Sequence, residues 1–253
     1  MRKIFIILFA ASMLSGCGLI ANTSWDQERL SSAAGKFMTA TTLTDEQIVE
    51  LCSQSVQYMD SQNKIETGAY ATRLKNLTKN FKVEGLALNF KVYNNKEVNA
   101  FASGDGSVRV YTGLMDLMTD DEIVAVLGHE IGHVVHKDSK NAMKKAYMAS
   151  AAQDLVGAAG TLGAIPSATL GNIATAYLNA QYSQKQEYAA DDYGTDFAVS
   201  VGRSSYSMYN ALIKLASLSE GNGSSVLAQR FADHPDNRER AERQKARAEK
   251  YGK

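Results

Sequence analysis

The sequence lacks the charge imbalance and the apolar runs that mark several classes of protein. Its 27 basic residues are matched by 27 acidic residues, so there is no basic surplus for binding polyphosphate and no acidic excess of the kind found in disordered tails. We therefore expect no nucleic-acid partner. The chain has only two cysteines and four histidines among 253 residues. What is present, 45% hydrophobic residues, is enough to bury the core of one substantial domain.

The first residues have the pattern of a sorting signal. Arg2 and Lys3 form a positively charged start, and residues 4–11 are apolar. This apolar stretch is too short to span a bilayer. The tetrapeptide Leu-Ser-Gly-Cys that ends at Cys17 resembles the bacterial lipobox, in which the cysteine becomes the lipidated first residue of the mature chain. The resemblance implies that Cys17 carries acyl chains.

This signal predicts three parts of the chain and a place in the cell envelope. Residues 1–16 are interpreted as a lipoprotein signal peptide, residues 17–40 as a lipidated tether rich in Ser, Ala, Thr and Asn, and residues 41–253 as one domain. Several acyl chains, at ~0.8 kcal/mol per buried methylene, make a lasting membrane anchor. Gly18 rather than Asp follows the cysteine. In lipoproteins of a cell with two membranes, this points to the outer membrane, with the domain facing the periplasm.

Capping signals and periodicity predict a mostly helical α+β domain. Thr44 with Gln47, and Thr119 with Glu122, have the spacing of capping boxes that open helices. Further helices are expected at about 68–80, 183–201 and 206–218, and amphipathic helices within 138–181, where no run approaches the ~20 apolar residues of a membrane span.

Three short segments are strand candidates: 88–93, 98–102 and 107–111. The last two are joined through Gly104-Asp105-Gly106, a hairpin signal. We expect a small antiparallel sheet beside the helix that Thr119 opens. The final stretch, 238–253, has charges of both signs at helical spacing and is interpreted as a solvated helix without a partner.

A zinc-binding pattern lies on the helix that begins at Thr119. His129 and His133 are four residues apart, about 40° around the helix axis, so the Nε2 atoms of both can reach one ion. Glu130 projects beside them and can deprotonate a coordinated water, because zinc lowers the pKa of such a water to about 7. With 4 histidines and 13 glutamates in the chain, chance gives about 0.003 matches. We therefore predict one zinc ion per chain and a catalytic base at Glu130.

The third zinc ligand has to come from farther along the chain. Metzincins have a histidine where Ser139 stands, so that class is excluded. Glu187 and Asp191 lie four residues apart on one face of a predicted helix. Such a pair is usually a solvated helix face, but beside the histidine motif we interpret Glu187 as the third ligand and Asp191 as an acceptor that fixes the tautomer of a ligand histidine. His136 is interpreted as a helix-end or surface residue, since the fourth zinc position must stay open for water.

The His-Glu-Ile-Gly-His and Glu-x-x-Ala-Asp segments together resemble the family of zinc endopeptidases that includes HtpX and the CAAX prenyl proteases. Residues 98–102, residues 109–115 and the His234-Pro235 pair are similar to the small bacterial lipoprotein members of this family. The likeness covers about residues 40–247. It implies a zincin-type metalloprotease domain in which His129, His133 and Glu187 bind zinc and Glu130 is the catalytic base.

The same resemblance implies roles for residues that the spacing alone does not single out. His234 is expected near the site as a donor to the oxyanion, and Arg240 is expected to support the same corner. The lipoprotein members carry a cysteine that can pair with the one matching Cys52, but Ser107 occupies its place here. We therefore expect no disulfide and interpret Cys52 as a small buried apolar residue.

Two further expectations concern how substrates bind, which is our own hypothesis, and what the substrates are, which the resemblance implies. Asn99, Ala100 and Phe101 would by default be a structural edge strand; our hypothesis is that this edge pairs with an extended substrate by β-augmentation. The expected function is a lipid-anchored endopeptidase that cleaves damaged or misassembled envelope proteins. The alternative is a chaperone or assembly factor for outer-membrane proteins that uses zinc structurally, and a purely structural or metal-storage lipoprotein is a third possibility. Glu130 favours the enzyme, because a structural zinc site has no use for a base. The sequence leaves the oligomeric state open.

Overall fold

The computed structural model describes residues 43–152, 165–221 and 237–252. In these ranges the chain forms helices and a small sheet in the order α1 Asp45–Gln62, β1 Ile65–Glu66, α2 Ala69–Thr78, β2 Asn89–Tyr93, β3 Ala100–Ala102, β4 Ser107–Tyr111, α3 Thr112–Leu117, α4 Asp120–Val135, α5 Asp138–Ala152, α6 Ser167–Leu178, α7 Gln184–Ser200, α8 Ser207–Gly221 and α9 Asn237–Lys250. The predicted mostly helical α+β fold is confirmed. None of the described helices is long and apolar enough to cross a membrane.

The sheet is mixed, with strand order β1-β2-β4-β3. The predicted hairpin is present, since β3 pairs antiparallel with β4, and Gly106 in its turn has a φ of 89°. However, β2 pairs with β4 in parallel. The prediction of a fully antiparallel sheet was therefore wrong at this pair. After β2 the chain forms β3 at the outer edge of the sheet and then returns to form β4 between β2 and β3. The alternation of apolar residues within each strand cannot show this strand order.

Close packing against α7 sets the position of α4. On α4, Ile123, Leu127 and Ile131 are fully buried. A Cβ on Gly194 of α7 would lie 2.8 Å from the carbonyl oxygen of Ala125 and 2.9 Å from the amide nitrogen of His129. Only glycine permits this approach of the two backbones. The first turns of α7 are thereby brought next to the histidines of α4.

A second cluster of buried apolar residues is formed by three helices and one part of the sheet. Helices α1, α5 and α6 pack together and against Tyr93, Phe101 and Tyr111 of the sheet. Cys52 belongs to this core as a free and fully buried thiol, as predicted. Burial raises its pKa to about 11, so the thiol stays protonated.

The C-terminal helix α9 is not the solvated helix that the charge pattern suggested. Arg240, Ala241, Gln244 and Ala248 form a face that is at least 98% buried. This face packs on α7 and α8. The prediction was wrong because the matching charges lie on α7, about fifty residues away in sequence, where the pattern of α9 alone cannot show them.

Candidate metal centre

The two histidines of α4 face each other inside the protein. The capping box between Thr119 and Glu122 opens α4 as predicted. Three turns later, His129 and His133 are 3% and 1% exposed, and their Nε2 atoms are 3.2 Å apart. The helix therefore delivers two imidazole nitrogens to one small buried volume.

Helix α7 supplies a carboxylate to the same volume. A capping box between Ser183 and Gln186 opens α7 and leaves Glu187 in its first turn. One carboxylate oxygen of Glu187 lies 3.7 Å from Nε2 of His129, and the other lies 3.7 Å from Nε2 of His133. Each of the three residues offers an atom within 4.8 Å of the other two, and all are buried. The structure thus brings together the three predicted ligands, the only such cluster of His, Cys, Asp or Glu in the described ranges.

The opposite nitrogen of each histidine meets a carboxylate. Nδ1 of His129 is 2.9 Å from Asp191, and Nδ1 of His133 is 3.1 Å from Asp138. From these partners we assign the proton to Nδ1 in both rings, which leaves the Nε2 lone pairs facing each other. Two lone pairs and a carboxylate directed at one volume suit a cation. Zinc–nitrogen distances of ~2.0–2.1 Å correspond to about 3.3–3.4 Å between two nitrogens of a tetrahedral site, so the donor set fits zinc.

Asp138 is a site residue that the sequence reasoning missed. It lies five residues after His133, just beyond the end of α4. Lys137 between them has a φ of 65°, the left-handed conformation that ends many helices. This turn points Asp138 back at His133, and Gln186 of α7 donates a 2.6 Å hydrogen bond to its other oxygen. Helical spacing could not reveal the contact, because the helix is broken between the two residues.

Arg240 of α9 joins the two carboxylates of α7. Its guanidinium donates to both oxygens of Asp191, at 2.7 and 2.8 Å, and lies 3.0 Å from Glu187. Burial opposes ionisation of Asp191, but the charge and hydrogen bonds of Arg240, with help from His129, lower its pKa overall. Burial likewise opposes protonation of His129, yet the hydrogen bond and charge of Asp191 and the charge of Glu187 raise its pKa overall.

Glu130 and Tyr182 complete the surroundings of the ligands. Glu130, next to His129 on α4, is 8% exposed. The ring of Tyr182 stacks on His133, with centroids 4.0 Å apart and planes inclined by 19°. Burial and then the charge of Glu130 raise the pKa of Tyr182. Tyr182 also escaped the sequence reasoning. His136, in contrast, is exposed at the C-terminal cap of α4, as predicted.

The candidate substrate strand is an edge strand, but a buried one. Asn99, Ala100 and Phe101 are each at most 6% exposed. Hydrogen bonds at Asn99 and Ser103 join β3 to β4, so the backbone groups of the intervening Ala100 and Ala102 point away from β4. The carbonyl of Ala102 already accepts hydrogen bonds from Tyr177 at 2.7 Å and Ser139 at 3.2 Å. Substrate pairing at this edge remains a prediction. Cys17 and His234 lie outside the described residues.

Comparison with known proteins decides the family. The pattern of peptidase family M48 matches residues 64–248. The chain belongs to this family. Metalloprotease LoiP of Escherichia coli (strain K12) is 37% identical over 246 residues, which cover 95% of this chain and 94% of LoiP. Metalloprotease YcaL of the same organism is 35% identical over 247 residues, with the same two shares.

A shorter match is found to HtpX proteases. Protease HtpX of Legionella pneumophila (strain Corby) is 49% identical over 55 residues, which are 19% of this chain and 20% of HtpX. These relatives confirm the resemblance that the motifs carried. This M48 protein is a metalloendopeptidase, and its buried His-His-Glu cluster is where a metal fits.

Proposed function

We propose that this M48 peptidase is a zinc endopeptidase, with His129, His133 and Glu187 as ligands and Glu130 as catalytic base. The observation that carries the proposal is the pair of Nε2 atoms 3.2 Å apart, both facing Glu187. Carboxylates at both Nδ1 atoms direct these lone pairs inward. Nitrogen and oxygen donors with two imidazoles favour zinc over the oxygen-binding cations.

Each group near the site has a defined task in peptide hydrolysis. When bound, zinc supplies a Lewis acid for the scissile carbonyl and lowers the pKa of a coordinated water. Glu130 takes the proton of the attacking water and delivers it to the leaving amine. Asp191 and Arg240 hold His129 and Glu187 in place. The role of His234 as a donor to the oxyanion is supported by family resemblance alone.

We further propose that the enzyme is anchored to the outer membrane by lipid on Cys17 and cleaves damaged or misassembled envelope proteins. The N-terminal charge, the apolar stretch and the lipobox-like tetrapeptide support the anchor. Incorporation of radiolabelled palmitate into the wild type, but not into Cys17→Ser, would support it. Equal release of both proteins as soluble periplasmic species would count against it.

Backbone pairing at β3 is part of the same proposal. In this proposal an extended substrate pairs with the outward-facing backbone groups of Ala100, because the carbonyl of Ala102 is already bonded to Tyr177. A proline scan of a good peptide substrate tests this pairing, because proline removes one backbone donor. Indifference to proline beside the scissile bond would argue against it.

The decisive experiment compares the wild type with Glu130→Gln. Glu50→Gln is the matched control, because Glu50 is exposed on α1 and bonds only Gln54 among the described residues. Zinc is measured by elemental analysis and activity by cleavage of casein. We expect about one zinc per chain in all three proteins and a loss of cleavage of ~100-fold or more in Glu130→Gln alone.

Two results would contradict the enzymatic proposal. Cleavage by Glu130→Gln at the wild-type rate would remove Glu130 from the mechanism. Zinc in every protein, with no cleavage of any unfolded or envelope protein by the wild type, would favour the chaperone alternative. A holdase assay would then follow.

A further inference from the structure

The start of α7 places an aromatic ring on a metal ligand. Tyr182 directly precedes Ser183, the N-cap of α7. A hydrophobic residue in this position often packs against a hydrophobic fourth residue of its own helix, but here the fourth residue is Glu187. Tyr182 instead stacks on His133 at 4.0 Å. One capping box therefore positions both a ligand carboxylate and the ring that covers another ligand.

The far end of the Tyr182 side chain lies near Ser139. Ser139 donates a 3.2 Å hydrogen bond to the carbonyl of Ala102, and its hydroxyl lies close enough to that of Tyr182 to offset part of the rise that burial causes in the pKa of Tyr182. Ser139 is 1% exposed. The ring thus stacks on a histidine and has a buried serine near its hydroxyl.

The two ligand histidines are oriented by different means. Asp191, the partner of His129, is itself clamped by the bidentate guanidinium of Arg240. Asp138, the partner of His133, has only the neutral amide of Gln186 as a further partner among the described residues. A hydrogen bond in the ring plane fixes the direction of Nδ1 but opposes rotation about that direction weakly. A flat ring stacked 19° from the plane of His133 opposes this rotation directly.

We propose that Tyr182 is a positioning residue for the metal ligand His133: its stacked ring fixes the imidazole plane and so aims Nε2 at the metal. This inference rests on the zinc site proposed above. The flat face of the ring is the property that orients His133. Phenylalanine at position 182 should therefore keep this function, whereas leucine, which is apolar but not planar, should lose it.

The test compares zinc affinities of purified full-length variants by competition with a chelator. The variants are Tyr182→Phe and Tyr182→Leu. Tyr193→Leu is the matched control, since Tyr193 on α7 stacks on Phe197 with planes at 16°, and its other aromatic neighbour among the described residues is His136, which is not a ligand. We expect the dissociation constant to stay within ~3-fold for Tyr182→Phe and Tyr193→Leu, and to rise ~10–100-fold for Tyr182→Leu.

Thermal unfolding of the zinc-free proteins separates positioning from packing. A cobalt-substituted sample adds a spectroscopic readout, because its visible absorption should change in Tyr182→Leu and not in Tyr182→Phe. Wild-type affinity in Tyr182→Leu, with only a lower unfolding temperature, would overturn the inference. If Tyr182→Leu does not fold, Tyr182→Met takes its place with the same two outcomes. A wild type that binds no zinc would instead overturn the metal site itself, and this inference with it.

Discussion

Two arginines are almost fully buried in the part of the chain that the structure describes, and they lie in different regions. Arg240 in the metal centre and Arg109 in the sheet are both 2% exposed. Each is bonded through two nitrogens to one aspartate: Arg240 to Asp191 at 2.7 and 2.8 Å, and Arg109 to Asp60 at 2.7 and 3.0 Å. The geometry is nearly the same, but the surroundings differ.

The two ion pairs differ in the other residues to which the aspartate and the arginine are bonded. Asp60 also accepts from Lys91 and Tyr93, so its network stays within α1 and the sheet. Asp191 bonds the ligand His129, and its arginine reaches the ligand Glu187. A buried ion pair rarely adds net stability over an apolar packing of the same volume. In the sheet the pair fixes the position of α1, whereas in the metal centre it fixes the ligands, so only the second should be coupled to zinc.

The largest expected effect is on Arg240→Met. Without the guanidinium, Glu187, Asp191 and Glu130 leave uncompensated negative charge in a buried site, and the free energy of unfolding of the zinc-free protein should fall by about 3–5 kcal/mol. Zinc should restore part of this loss, because its charge replaces that of the guanidinium. Urea unfolding with and without zinc measures both quantities.

Arg109→Met is the matched control for that change. It should lose a similar amount of stability, and zinc should add no more stability to it than to the wild type. Equal gains from zinc in Arg240→Met and Arg109→Met would break the comparison, since the two arginines would then be equivalent.

Asp60→Asn should have a smaller effect, about 2–3 kcal/mol, because a neutral side chain still accepts a hydrogen bond from Arg109. Burial alone would raise the pKa of Asp60, but Arg109, Lys91 and Tyr93 lower it to about 2. Since the folded pKa lies below the unfolded value of about 3.9, this stabilisation is full above about pH 4 and is lost as the pH falls towards 2.

The stability of the wild type should therefore fall between about pH 4 and 2 more steeply than that of Asp60→Asn. Chemical unfolding in a series of acidic buffers measures this difference. Parallel curves for the two proteins would show that Asp60 is not bonded to Arg109 in the folded state.

Asp138→Asn should have the smallest effect on stability and a specific effect on zinc. Asparagine can still bond Nδ1 of His133, but without charge, so zinc affinity should fall ~10–100-fold, or about 1.4–2.8 kcal/mol. Asp116→Asn is the control, as its partners Tyr70 and Lys96 are away from the ligands. Chelator competition measures the affinity, and an unchanged value in Asp138→Asn would remove Asp138 from the site.

The sequence predicted those parts of the site that lie within single helices. The capping boxes at Thr44 and Thr119 begin the helices that the structure shows. His129 with His133, and Glu187 with Asp191, each lie on one face of one helix, so spacing alone placed each pair. No sequence spacing indicates the contact between α4 and α7. It was inferred from the need of zinc for a third protein ligand.

The residues that escaped prediction all lie where a regular element stops or where two distant elements meet. Asp138 follows a residue in the left-handed conformation, and Tyr182 precedes an N-cap. Helical periodicity therefore cannot predict where either side chain points. The buried face of α9 depends on aspartates of α7, since Arg240 bonds Asp191 and Gln244 bonds Asp192. The parallel pairing of β2 and β4 depends on strand order, which local alternation cannot encode.

The most direct test of this account is the anomalous X-ray scattering of a crystal of the purified protein, recorded at the zinc absorption edge. We predict one peak per chain, within about 2.0–2.2 Å of Nε2 of His129, Nε2 of His133 and a carboxylate oxygen of Glu187. A peak at a different place, or no peak in a protein that cleaves casein, would contradict the assignment of these three residues as the metal site.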